Sequence, residues 1–192
     1  MGTGGGGRRL RADALRNRER LLEAAKAAFT EAGPEASLEE IARRAEVGIG
    51  TLYRHFPTRN DILAAVYRRE VEQLGAAAER LLGEMAPADA LRQWLRLSVD
   101  YLATKKVIAP ALGTMEGGAS ALYAASSQHI RGAMDLLLER AIAAGEVRAD
   151  VETADLVQAL AGLAYNPDSP GWRERALRLI DILLAGLRAG TG

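Results

Sequence analysis

The run Val47-Gly48-Ile49-Gly50-Thr51-Leu52-Tyr53-Arg54-His55-Phe56-Pro57-Thr58-Arg59 holds one short helix between two breaks. Gly48 opens it and Pro57 closes it, because proline cannot continue a helix. Leu52 and Phe56, four residues apart, fall on one face and read as core together with Ile41 and Val47. Between them stand Gly50, Thr51, Tyr53, Arg54 and His55, a small residue and four hydrogen-bonding side chains of the kinds that suit phosphates and base edges. An ordinary solvated helix face would carry Glu and Lys instead. Upstream, Ser37-Leu38-Glu39-Glu40 reads as a capping box: the Ser37 hydroxyl takes an early amide hydrogen and Glu40 reaches back to the Ser37 amide. The two-turn helix it starts puts Leu38, Ile41, Ala42 and Ala45 on one face and Arg43 and Arg44 on the solvated remainder. Glu46-Val47-Gly48 then forms a three-residue break. Helix, tight turn, helix is the spacing in which the first helix braces the second, so that the second can lay its N-terminal side chains in a major groove.

Working outward, a first helix is expected over about Ala12–Ala32, with Leu15, Leu22, Ala25, Phe29 and Ala32 on one stripe and Gly33-Pro34 as its stop. Thr58-Arg59-Asn60-Asp61 repeats the cap pattern before a long helix reaching Met85, roughly 40 Å at ~1.5 Å per residue. Further helices are expected at about 88–103, 107–115, 119–144, 151–165 and 172–187, giving nine without an internal repeat. The domain division that follows is a flexible basic, Gly-rich arm (1–11), a helix-turn-helix head (12–58), a linking helix (59–85) and a body (86–192).

Composition agrees with an all-α chain. Of 192 residues 37 are Ala and 27 Leu, whereas Val and Ile together number 16, too few to furnish a sandwich or a parallel sheet. The absence of Cys removes disulfides, thiolate nucleophiles and Cys-type zinc sites and fits a reducing cytoplasm. The longest uncharged run, Gly117–Ile130, is too short to span a bilayer, which needs roughly 18 or more residues. No metal site, cofactor motif or catalytic constellation is legible: the two His are 74 residues apart, and neither a Gly-x-Ser-x-Gly elbow nor a phosphate loop is present. An enzyme is therefore not expected. Net charge is zero, but residues 1–60 carry 11 Lys or Arg against 8 Asp or Glu, and Arg8, Arg9, Arg11, Arg16, Arg18 and Arg20 crowd the start, where a basic arm meets phosphates.

On these residues Met1–Leu74 resembles the DNA-binding domain of the tetracycline-repressor (TetR/AcrR) family. The resemblance rests on Ala27-Ala28-Phe29-Thr30-Glu31-Ala32-Gly33, on Ser37-Leu38-Glu39-Glu40-Ile41-Ala42, and above all on Val47–Arg59. It implies a three-helix DNA-binding head joined by a long fourth helix to a divergent ligand-binding and dimerisation body. Carried over by position, it implies that Ser37 caps the second helix, Ile49, Gly50 and Thr51 lie at the groove, Tyr53 and His55 reach phosphates, and Arg59 meets a phosphate at the start of the fourth helix. Several relatives have a polar or basic side chain where this chain has Ile49, which suits a thymine methyl rather than a hydrogen bond. His55 and Tyr53 also admit a simple packing role.

Two copies related by a two-fold axis would read half-sites of a palindromic operator about 34 Å apart. In the last helix Leu177, Ile180, Leu184 and Leu187 form a stripe, with Leu183 beside it and Leu179 and Ile182 off it, so the helix is apolar over much of its girth. Together with the preceding helix it supplies an expected homodimer interface of Leu156, Leu160, Leu163, Leu179, Ile180, Leu183 and Leu187, which the resemblance casts as a four-helix contact. The body also offers Trp94, Tyr101, Met115, Tyr123, Met134 and Tyr165 as candidate lining of a mostly apolar cavity for a small apolar or amphipathic effector. The resulting expectation is a cytoplasmic, ligand-responsive transcriptional repressor. The alternative is a helical ligand- or partner-binding adaptor that reads no sequence.

Overall fold

The computed structural model describes residues 5–113, 120–164 and 169–188. These form eight helices: α1 (Gly5–Ala32), α2 (Leu38–Arg44), α3 (Ile49–His55), α4 (Arg59–Glu84), α5 (Pro87–Gly113), α6 (Ser120–Ala143), α7 (Thr153–Leu163) and α8 (Trp172–Leu187). Among the described residues the only β-type pairing is an isolated bridge between Val147 and Arg188. The all-α expectation holds.

Two of the expected helices are one. Residues 88–103 and 107–115 belong to the continuous α5, which carries Pro110 inside it. A proline removes one amide donor and crowds the carbonyl four residues back, but it does not oblige a helix to end. Here Ile108 and Leu112, on either side of Pro110, are fully buried, so tertiary packing outweighs the local penalty. At the other end of the chain α1 starts at Gly5 rather than near residue 12. From Arg8 onward the chain is rich in Arg, Leu and Ala, good helix formers that carry the helix back into the Gly run. The side chains of Arg8, Arg9 and Arg11 lie outside the described residues. The buried stripe of α1 begins at Leu21 and runs through Leu22, Ala25, Ala28 and Phe29; Leu15, expected on it, is exposed.

The chain folds as two compact units, and two of the boundaries between them fall inside helices, one in α4 and one in α5. One unit comprises the residues up to Arg68 together with the described stretch from Val107; the other comprises Arg69–Lys106 and the described residues beyond Ala119. In the first unit, α1, α2 and α3 bury Leu21, Phe29, Ile41, Leu52 and Phe56 against the start of α4, where Ile62 and Leu63 are inaccessible. Gly33 adopts the left-handed conformation (φ 81°) that ends α1 and returns its amide to the Phe29 carbonyl at 2.9 Å. At the start of α4, Asp61 Oδ2 accepts from both the Thr58 amide (2.9 Å) and the Thr58 hydroxyl (2.8 Å), as the Thr-x-x-Asp pattern requires.

In the second unit Trp94, Leu91, Leu95, Val99, Leu137, Leu156 and Ile180 form the core. Pro87 takes the first position of α5, where its missing amide costs nothing, and the Ala88 amide is capped from a distance by Glu146 Oε2 at 2.7 Å. Asp181 on α8 accepts from Arg92 Nε (2.9 Å) and Arg96 Nη1 (3.2 Å), and Asp100 accepts from Arg173 Nε (2.8 Å), so α5 and α8 are tied at two levels. The hydrogen bond from Arg92, reinforced by both guanidinium charges, holds the Asp181 carboxyl below its usual range.

Candidate nucleic-acid interface and body cavity

The helix-turn-helix spacing is realised by α2 and α3. Ser37 caps α2 as expected, its Oγ accepting from the Glu40 amide (3.3 Å) while its hydroxyl donates to Glu39 Oε2 (2.9 Å). The reciprocal half of the expected box is not made. The Glu40 carboxylate turns to Arg43 (Nε 2.8 Å, Nη2 2.7 Å) and Arg44 (Nε 2.8 Å), because two guanidinium groups one turn away outcompete a neutral amide. The Arg43 hydrogen bonds, then that of Arg44, hold the Glu40 pKa down at about 2. Arg44 also reaches Glu31 Oε2 at 2.8 Å, which joins α2 to α1.

The turn itself depends on a residue that sequence reasoning passed over. Glu46, not Gly48, takes the left-handed conformation (φ 54°), whereas Gly48 is an extended N-cap (φ −71°). The Glu46 carboxylate receives Arg20 Nη1 from α1 at 3.2 Å. A second α1 cation, Arg18, sits 5.6 Å from the centroid of the Phe56 ring at the end of α3. Two of the clustered N-terminal arginines therefore brace the turn and the exit of α3.

With Leu52 and Phe56 turned inward, α3 presents Ile49, Gly50, Tyr53 and Arg54 outward, and Thr51 and His55 stand half-buried at the flanks. Ile49 is 37% and Tyr53 45% exposed, an unusual investment of large apolar surface on a seven-residue helix. Among the described residues nothing lies within 4 Å of a side chain built at Gly50, so the fold's own packing does not require its smallness. The His55 ring lies 6.2 Å from the Phe56 ring, tilted by 45°. Among the described residues Arg54 pairs with no carboxylate. Arg59 is placed differently from the expectation: its Nη1 donates to the carbonyls of Pro34 (2.9 Å) and Ala36 (2.6 Å), and its Nε lies 3.9 Å from Glu35. It fastens the α1–α2 loop to the start of α4.

The second unit contains a cavity of about 400 Å³ walled by three helices. Each supplies four residues at the same i, i+3, i+4, i+7 spacing: Ser98, Tyr101, Leu102 and Lys105 from α5; Ser127, Ile130, Arg131 and Met134 from α6; Val157, Leu160, Ala161 and Ala164 from and just beyond α7. Of the six expected lining residues, Tyr101 and Met134 are here. Trp94 is not: it is wholly buried, and its Nε1–H donates to the Leu74 carbonyl of α4 at 2.7 Å, so it is core. Tyr123 stands beside the cavity, its ring 5.9 Å from Lys105 Nζ. Met115 and Tyr165 lie outside the described residues.

Residues 21–66 match the model of bacterial regulatory proteins of the tetR family, and residues 86–189 match the C-terminal domain of SbtR-like transcriptional regulators. The chain belongs to the TetR family of bacterial transcriptional regulators. Among solved structures, a TetR regulator of Streptomyces coelicolor is 43% identical with a TM-score of 0.81, covering 91% of this chain and 99% of its own. A second, from Mycobacterium vanbaalenii, is 35% identical with a TM-score of 0.76, covering 93% and 99%. An HTH-type transcriptional repressor of Mycolicibacterium smegmatis, KstR, is 30% identical over 69% of this chain and 66% of its own length. The match spans 52% and 38% of the length of two further curated relatives, from Staphylococcus aureus and Mycobacterium bovis.

TetR-family members are DNA-binding transcriptional regulators, generally not enzymes, and they are dimeric. In this member no helix among the described residues is long and apolar enough to cross a membrane. Of the expected dimer residues, Leu156, Leu160 and Ile180 are buried within their own chain, because the stripe containing Ile180 and Leu184 faces the subunit core. The residues off that stripe are open: Leu179 is 50% and Ile182 67% exposed. Leu163, Leu179 and Leu183 line an apolar groove of about 560 Å³ between α7 and α8, floored by Ala159, Gly162 and Ala176 and edged by Trp172, whose Nε1–H donates to the Leu163 carbonyl at 2.6 Å. Leu187 is half-buried and outside that groove.

Proposed function

We propose that this TetR-family chain acts in the cytoplasm as a homodimeric repressor that binds a palindromic operator through α3 and is released by a small amphipathic molecule held in the body cavity. The observation that carries the reading is the outward face of α3, where Ile49, Gly50, Tyr53 and Arg54 are spared from the fold's own packing. In this reading Ile49 meets a thymine methyl, Gly50 and Thr51 allow close approach, and Tyr53, Arg54 and His55 contact phosphates. Ser37 and Arg59 act indirectly, the first by capping α2 and the second by clamping the loop before it.

The apolar groove of α7 and α8 supports the dimer, with Leu163, Leu179, Leu183 and Ile182 as its contact residues. Release follows from linkage: a ligand that prefers one body conformation shifts the population, and operator affinity falls by the same factor by which the operator weakens the ligand. α4 is one unbroken helix from Arg59 to Glu84 and contributes residues to both compact units.

Selection of genomic fragments bound by the purified full chain tests the proposal. A recurring inverted repeat upstream of a small set of genes, retarded in a salt-sensitive manner, is the expected result. Retention of no fragment, alongside intact binding of small molecules in the body, would instead identify an adaptor.

A further inference from the structure

We infer that the molecule taken up by the body cavity is an amphipathic organic anion, an apolar tail carrying a carboxylate-type head, with Lys105 and Arg131 as the groups that receive the head. The inference rests on the proposed regulator reading for its biological meaning, but the chemistry is that of the wall. Among the described residues twelve line the cavity, two of them are cations, and none is Asp or Glu. The rest of the wall is largely aliphatic, with Leu102, Ile130, Met134 and Val157 among its members. Its volume of about 400 Å³ falls in the range of ~300–1,000 Å³ typical of small-molecule sites.

Among the described residues neither Lys105 nor Arg131 is paired with a carboxylate. The acid closest to Lys105 along α5, Asp100, is committed to Arg173. A rim cation that merely extends into water needs no anchor, yet Lys105 Nζ lies 6.0 Å from the Tyr101 ring centroid and 5.9 Å from that of Tyr123. Two ring faces thus hold the ammonium at the cavity instead of releasing it to solvent. A neutral apolar guest would strip water from Lys105 and Arg131 without replacing it, and a cationic guest would be repelled. An anion satisfies both cations while its tail covers the aliphatic wall.

Calorimetric titration of the full chain with three probes of the same tail, decanoate, decanol and decyltrimethylammonium, tests the assignment. Decanoate should bind once per chain, decanol about tenfold or more weakly, and the cation not measurably, the scale set by one charge-assisted contact. Lys105→Met and Arg131→Met should each weaken decanoate about tenfold while leaving decanol within about twofold, since both keep the aliphatic stem. Ala161→Phe, which fills the cavity, should abolish decanoate binding. No decanoate binding, equal binding of decanol or the cation, indifference of both charge variants, or persistence in Ala161→Phe would each overturn the inference. Operator retardation by the ligand-free protein is measured alongside: operator binding without anion preference defeats this assignment alone, and anion preference without operator binding defeats the regulator reading alone.

Discussion

Arg54→Ala and Arg59→Ala should separate two arginines that sequence reasoning places at the same interface. Arg54 is exposed on the outward face of α3 and has no carboxylate partner among the described residues, so its removal costs the fold little. If it neutralises one phosphate per subunit, the dimer loses two, and at about −0.9 per phosphate the slope of log affinity against log salt becomes shallower by about 1.8. Over the fourfold interval from about 50 to 200 mM salt, the wild type should then lose about 12-fold more affinity than Arg54→Ala loses. Arg59 is different: its Nη1 bonds two loop carbonyls, at 2.9 and 2.6 Å, from a side chain 31% exposed. Allowing for that exposure, its loss should cost about 1–2 kcal/mol, or roughly 2–8 °C in Tm for a chain of this length, with the salt slope retained. Fluorescence anisotropy on labelled operator across a salt series, paired with thermal melts, reads both quantities. A flattened slope in Arg59→Ala with an unchanged slope in Arg54→Ala would refute the assignment of roles.

Three other outcomes are expected. Leu179→Glu places a charge in the α7–α8 groove at a side chain half exposed in the subunit; sedimentation should show monomers with subunit stability within about 0.5 kcal/mol, and persistence of the dimer would remove the groove from the interface. Glu46→Gly relieves a left-handed glutamate, and the gain should exceed both the added chain entropy and the exposed Arg20 pair, raising stability by about 0.5–1 kcal/mol in chemical denaturation; a loss would mean that the Arg20 contact outweighs the backbone. Because the Glu40 pKa is lowered in the fold, from 4.5 to about 2, its contribution is fully present above about 4.5 and fades as pH falls toward 2. The Tm difference between wild type and Glu40→Gln should accordingly be largest near neutrality and shrink through that window, and a difference that grew in acid would contradict the sign.

The head was legible because its signals are local. A cap serine, a proline stop and a four-residue apolar spacing each act within one or two turns, and Ser37, Pro57 and the Leu52–Phe56 pair sit where those rules put them. What escaped was decided by competition between neighbours. Glu40 had two possible partners, and charge chose the arginines; the turn had a glycine available at residue 48, yet the strained residue is 46. Likewise Arg59 carries the right charge at the right place, but its destination depends on carbonyls more than twenty residues upstream. In the body, aromatic residues were an uneven guide to the cavity: Tyr101 lines it, whereas Trp94 is wholly buried core. The better signal was polar residues lodged in apolar stripes: Ser98 and Lys105 in α5, and Ser127 and Arg131 in α6, each repeat at helical spacing where a pure core helix would be aliphatic.

That same spacing gives α7 a double duty in the proposed mechanism. Val157, Leu160 and Ala161 face the cavity, while Ala159, Gly162 and Leu163 face the apolar groove, so one helix of 11 residues separates the ligand from the proposed partner surface. Small residues, Ala159, Ala161 and Gly162, dominate its middle, and a helix with little side-chain bulk can shift by a fraction of a turn without colliding with its neighbours. Packed interfaces respond to such shifts by switching between discrete arrangements rather than by deforming smoothly. In that mechanism a ligand that displaces α7 on one side would act on the proposed partner surface on the other. Coupling between the cavity and the partner surface asks only that this one helix move, and any onward coupling to the head has α4, which contributes residues to both units, as a carrier.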